Sequence, residues 1–160
     1  MPSINRAVRA MIIAILMTTA VFAVLVAVPM NASAGTIHAP IEISSDANFA
    51  DAGNPLSYGV TGGSGTESDP YIISGWNISS STTTGIYIQY ASVYFTIENC
   101  NITGDSSQNA IVLNSNSHGK VLNCSLTGNS YGVYSYDSRT EVLNCTISGG
   151  NTGIYSYNDC

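Results

Sequence analysis

The sequence predicts an all-β fold, a single-stranded parallel β-helix of about four coils. Three observations carry this. The stretch VLNCSLTGNSYGVYSY, residues 121–136, returns as VLNCTISGGNTGIYSY at 142–157; nine of sixteen positions are identical, and four more exchange Ser for Thr or one aliphatic residue for another. The Asn-Cys pair inside the repeat occurs at 99–100, 123–124 and 144–145, so the period is 24 and then 21 residues. Within each unit, apolar residues alternate with period two over two to five residues, between Gly, Asn and Ser. Such short alternating runs mark strands and turns. A period just over twenty then makes each unit one coil of a solenoid, with equivalent residues stacked about 4.8 Å apart. Leucine-rich repeats share the period, but their Leu-x-x-Leu-x-Leu framework is missing. Helical repeats run longer and are not built from β-branched residues, Gly and Asn.

Taken in order, residues 1–34 read as a targeting segment. Arg6 and Arg9 precede the apolar run MIIAILMTTAVFAVLVAVPM, and Ala32-Ser33-Ala34 supplies a small-x-small cleavage site. This is the layout of a secretory signal cleaved after Ala34. The run of about 20 residues also has the length of a membrane span, so an uncleaved anchor is the alternative, and the only expected contact with a membrane. Either way the rest of the chain lies outside the cytoplasm, secreted or at the cell surface. All ten acidic residues but only Lys120 and Arg139 of the four basic ones lie beyond residue 34, giving 2 − 10 = −8 there. Such a chain offers no electrostatic footprint to nucleic acid or anionic lipid.

Residues 35–70 are expected to cap the solenoid, and 71–160 to form its coils. GWNISS before GIYI is the first and weakest unit, with Trp76 at the cysteine position and Gly85 opening the next strand. In the later units Ile97, Val121 and Val142 should share one inward column, and Ile102, Leu126 and Ile147 another. Asn99, Asn123 and Asn144 fall where inward parity shifts by one residue. The chain must turn there, and Asn tolerates the left-handed conformation of such a corner. Stacked amides could also bond along the column as an asparagine ladder. Thr96, Lys120 and Glu141 should share an outward column, with Lys120 and Glu141 close enough to pair.

The stretch GVTGGSGTESDPYIISGWNIS, with GIYI and YFTIENCNITG after it, resembles the N-terminal part of NosD-like right-handed β-helix surface proteins. These are similar to the wider group of carbohydrate-binding and sugar-hydrolase β-helix domains common in archaeal secretomes. The resemblance spans roughly residues 55–160 and implies a right-handed coil. It does not bring copper with it. Soft copper ligands are Cys, Met and His, yet every Met lies within residues 1–34, and His38 and His118 are far apart. No cofactor is expected.

Three groups of residues are candidates for chemistry. Cys100, Cys124 and Cys145 occupy one inward column, with Cys160 at the last position. Extracytoplasmic cysteines invite disulfides, but stacked neighbours sit slightly beyond disulfide reach and three cannot all pair. A buried free-thiol column, with Cys as a small hydrophobe, is the favoured reading; no His shares it to make a metal site. Tyr134 and Tyr155 share one outward column, and Tyr136 and Tyr157 the next. An aromatic face with a polar rim suits sugar rings, while the plain alternative is strand tyrosines packing on their neighbours. Asp137, Arg139 and Asp159 form the one mixed-charge cluster in the repeats, a weak catalytic alternative, since hydrolysis needs two carboxylates at a set separation and Asp at a turn ordinarily serves the turn. Sequons fall at Asn77, Asn101, Asn123 and Asn144; Asn101 should face outward, and the two corner residues should be inaccessible.

The expected role is therefore structural or adhesive, with extracellular glycan or cell-envelope components as partners. The alternative is the N-terminal part of a polysaccharide lyase or hydrolase with its active site beyond residue 160. The chain ends at Cys160 in a strand-turn junction, with no polar cap in the sequence, which reads as truncation.

Overall fold

The computed structural model describes residues 35–51 and 55–158. Residues 1–34, on which the expected targeting segment falls, lie outside these residues, as do Asp159 and Cys160. Among the described residues, fifteen strands form three five-stranded sheets. Sheet A holds β1 (Thr36–His38), β5 (Trp76–Ser80), β8 (Asn101–Gly104), β11 (Ser125–Thr127) and β14 (Thr146–Ser148). Sheet B holds β2 (Ile41–Ile43), β6 (Ile86–Gln89), β9 (Ile111–Asn114), β12 (Tyr131–Tyr136) and β15 (Thr152–Tyr157). Sheet C holds β3 (Val60–Gly62), β4 (Tyr71–Ser74), β7 (Tyr94–Glu98), β10 (His118–Leu122) and β13 (Thr140–Leu143). The chain visits sheets C, A and B in turn, four times, so that each circuit is one coil. Every strand pair is parallel except β3 with β4. β1 and β2 already pair in parallel with β5 and β6, so the ladders of two sheets begin at Thr36 and Ile41.

The register makes each repeat position a physical column. Ile73, Ile97, Val121 and Val142 stack along sheet C, and Ile78, Ile102, Leu126 and Ile147 along sheet A. Ile41, Ile86, Ile111, Val133 and Ile154 stack along sheet B. Inward residues of the first three coils are almost fully buried, while Ile154 on the fourth is 50 % exposed. Burial of such columns is the main favourable term in the fold. Complementary size also matters. Gly119 stacks on Phe95, and a Cβ there would lie 2.7 Å from the Phe95 Cζ atom, so the glycine makes room for the ring.

Two short helices follow β2, α1 (Asp46–Ala50) and α2 (Pro55–Tyr58). Phe49 of α1 is fully buried, with ring centroids 5.3 Å from Tyr71 and 5.4 Å from Phe95. The Asp46 carboxylate accepts hydrogen bonds from the Ser92 N–H at 2.9 Å and the Val93 N–H at 3.4 Å, which ties the helix to the first coil. In the turn before β4, the N–H groups of Ser64, Gly65 and Thr66 converge on the Asp69 carbonyl at 3.0, 3.0 and 3.2 Å. Gly63 has φ +88°, and a Cβ there would land on the Pro70 carbonyl, so only glycine fits this turn.

Asn99, Asn123 and Asn144 have φ of 52°, 51° and 53°, the left-handed corner between sheets C and A. Their side chains are exposed, and among the described residues no side-chain hydrogen bond joins them. The asparagine ladder is thus replaced by backbone bonds: Asn99 N–H donates to the Leu122 carbonyl at 3.2 Å, and Asn123 N–H to that of Leu143 at 3.0 Å. The expectation that Asn123 and Asn144 are inaccessible to glycosylation fails, since both amides face solvent, as does Asn101. A second left-handed corner, between sheet B and the following strand of sheet C, is formed by Tyr90, Ser115 and Asp137, and Asn158 after β15 has the same conformation, with φ from 50° to 61°.

The amides that are buried are others. Asn116 is 3 % exposed; its Oδ1 accepts from the Ala91 N–H and its Nδ2 donates to the Ile88 carbonyl, both at 2.9 Å. Asn129 is 2 % exposed, donates to the Thr127 carbonyl at 3.0 Å and accepts from the Ser80 hydroxyl.

Candidate functional site

Cysteine chemistry is closed off by packing. Cys100, Cys124 and Cys145 stack above Trp76, all three are free thiols, and the first two are 2 % exposed. Each thiol follows one rule: Sγ lies 3.3–3.4 Å from the carbonyl two residues earlier, at Glu98, Leu122 and Leu143. Trp76 fills the same column in the first coil and donates its indole N–H to the Gly59 carbonyl at 2.7 Å. The Cys124 pKa is raised, first by its hydrogen bond with Cys100 and then by burial. Packing shields Cys100 and Cys124 from reagents in the native fold, while Cys145 on the last coil is partly exposed. In a Cys160→Ser background, a maleimide should label the partly exposed Cys145 first, and Cys100 and Cys124 only on unfolding. Equal native labelling of all three would contradict this packing.

Sheet B carries the tyrosines outward. Val133 and Ser135 point into the core, which leaves Tyr134 and Tyr136 on the outer face. One outward column runs Glu42, Tyr87, Val112, Tyr134, Tyr155, and the next runs Gln89, Asn114, Tyr136, Tyr157. Tyr134 and Tyr155 stack with centroids 5.2 Å apart and planes 16° apart, and Tyr136 and Tyr157 at 5.7 Å and 11°. Tyr131 meets both Tyr134 and Tyr155 edge-on. These rings satisfy one another as strand neighbours do, yet Tyr155 remains 40 % and Tyr157 56 % exposed. At the other end of the face, Tyr87 donates to the Gln89 side-chain carbonyl at 2.9 Å and borders a hollow of about 560 Å³ lined also by Pro40, Thr83, Thr84 and Asn109.

The mixed-charge cluster is differently placed. Asp137 sits at its left-handed corner and accepts from the Asn158 side-chain amide at 3.1 Å, a turn role. It shares a hollow with Arg139, His118 and Asn116, in which it is the one carboxylate among the described residues. Asp159 lies outside those residues.

Sheet C holds a second cleft, of about 390 Å³, that the repeat comparison does not point to. Tyr94, His118, Lys120, Arg139, Glu67 and Glu141 line it. Lys120 Nζ lies 3.1 Å from Glu141 Oε2, as the shared outward column predicts, and both side chains are about half exposed. The Tyr94 and His118 rings stack at 4.0 Å with planes 8° apart. The signal was available: stepping back two residues from Thr96, Lys120 and Glu141 gives Tyr94, His118 and Arg139. Unlike residues in one column leave no identity for a repeat search to see. Among the described residues, no group of three or more His, Cys, Asp or Glu side chains could hold a metal ion.

A family model described as a right-handed beta helix region matches residues 31–147 of the chain. No curated protein and no solved structure matches it.

Proposed function

Since the chain belongs to the right-handed β-helix family, we propose that it is an extracytoplasmic repeat protein that binds neutral glycan along the outer face of sheet B, in a structural or adhesive role. The observation that carries this reading is the pair of outward columns in which tyrosines adjoin Gln89 and Asn114, with Glu42 as the one charged member. Sugar rings present apolar C–H faces and a rim of hydroxyls. Tyrosines with an open ring face or edge meet the first, and amides and phenol hydroxyls meet the second. Stacking of the inner rings on one another holds them in fixed positions, which lowers the entropy lost on binding. The basic, apolar and small-residue order of residues 1–34 supports the extracytoplasmic placement.

The test is a neutral-glycan array probed with the protein and with a Tyr155→Ser/Tyr157→Ser variant. Loss of about 1.4 kcal/mol of contact should weaken binding about tenfold, with circular dichroism at the assay temperature showing that the variant is folded. Equal binding by the variant, or no neutral glycan bound at all, would dispose of this reading. N-terminal sequencing of the protein recovered from the medium or envelope tests its placement.

A further inference from the structure

We infer that the cleft on sheet C binds an acidic saccharide unit, a sugar ring carrying a carboxylate or a sulfate ester, independently of the tyrosine face on sheet B. Beyond residue 34 the chain has ten acidic residues and two cations, and both cations, Lys120 and Arg139, line this one cleft. On a chain this acidic, the placement of its two cations decides where an anion can approach.

The register sets their relation. Tyr94 and His118 are partners across β7 and β10, and the Gly119 N–H donates to the Arg139 carbonyl at 3.1 Å, so Arg139 is the next rung above His118. Phenol, imidazole and guanidinium thus follow one another up a single outward column. Lys120 stands two residues along the strand from His118, on the same face. Its partner Glu141 is as exposed as it is. Such a pair contributes little to stability, and its lysine can exchange partners at small cost. The Arg139 guanidinium offers paired donors matched to a carboxylate or sulfate, and Lys120 a point charge beside it.

The remaining lining selects among anions. Glu67 and Glu141 place two carboxylates in the same cleft. They oppose a densely charged polyanion such as nucleic acid, which presents a phosphate at every step. A saccharide differs, because each acid group is surrounded by hydroxyls, and these can donate to Glu67 and Glu141 while the acid group meets Arg139 and Lys120. Ser117 borders the cleft and supplies a further hydroxyl.

The experiment is calorimetric titration of the full chain with a glucuronate tetrasaccharide, its methyl ester, and a sulfated galactose tetrasaccharide, each at low and at 0.5 M salt. Binding of either acidic sugar, lost in 0.5 M salt, is expected, with none for the ester; which acid binds identifies the group recognised. Arg139→Gln and Lys120→Gln should each weaken that binding at least tenfold, while Tyr155→Ser/Tyr157→Ser leaves it unchanged. Both cations are surface groups, and circular dichroism confirms that each variant is folded. Equal binding of the ester, indifference to both cation variants, loss on the tyrosine variant, or no acidic sugar bound would overturn the assignment.

Discussion

Phe49→Ala should lower the unfolding free energy by about 3–5 kcal/mol, the range for removing a large aromatic ring from a packed core. The ring is fully buried against Tyr71 and Phe95, which are successive rungs of one sheet C column. A solenoid exposes the core of its terminal coil unless something covers it. Here α1 presents Phe49 to that surface, and Asp46 fixes the helix by accepting from the Ser92 and Val93 N–H groups. Truncation leaves a cavity between the helix and the coil, which a five-residue helix cannot close without giving up the Asp46 bonds. Urea denaturation followed by circular dichroism measures the change as a shift in midpoint. A loss below about 1 kcal/mol, the size of a surface effect, would show that α1 is peripheral and that the first coil is stable uncovered.

The parts of this fold that were legible in the sequence are those where stacking imposes like on like. Val121 and Val142 occupy equivalent positions because each meets the rung before it, Val121 on Ile97 and Val142 on Val121, across the same interval of about 4.8 Å. The Asn corner was legible for the same reason, since one backbone conformation recurs and one residue type suits it. The second corner was not, because Tyr90, Ser115, Asp137 and Asn158 reach the same left-handed φ with four different side chains. There the parallel backbone bonds on either side fix the turn. Tyr90 N–H donates to the Asn114 carbonyl at 3.0 Å, and Ser115 N–H to that of Tyr136 at 2.9 Å. Local preference is weak where tertiary bonding determines the conformation.

The candidate sites divide along the same line. The tyrosine face was visible because Tyr134 and Tyr136 return as Tyr155 and Tyr157. The sheet C cleft was hidden because it is built from unlike groups: a ring, an imidazole, two cations and two carboxylates. Repetition reports what supports the coil. Departures from it on an outward column report where the coil has been adapted. Lys120 and Arg139 are such departures, and the asparagine corner is the reverse case, a recurring stack whose side chains make no hydrogen bond with one another.

Asn116→Leu should cost about 2–6 kcal/mol, because it strands two buried backbone groups at about 1–3 kcal/mol each. The Asn116 amide is the partner of the Ala91 N–H and of the Ile88 carbonyl, at the corner where sheet B gives way to sheet C. Leucine has similar bulk but offers neither a donor nor an acceptor, so the loss is one of hydrogen bonding rather than of volume. An Asn116→Asp variant separates the two contributions by pH. A buried carboxyl has a folded-state pKa raised above the ordinary value of about 3.9, so the folded state holds its proton more tightly than the unfolded chain. Below that ordinary pKa the protonated acid keeps an oxygen for Ala91 and an O–H for Ile88, and the variant approaches wild-type stability. As pH rises from about 4 through the folded-state pKa, the unfolded chain sheds its proton first and the stability is lost. Thermal melts from pH 3 to pH 8 should therefore show Asn116→Asp falling relative to wild type as pH rises, and Asn116→Leu displaced by a constant amount. A flat difference for the aspartate variant would mean that water reaches this corner and satisfies the charge, and that the coil is less closed at Asn116 than its 3 % exposure implies.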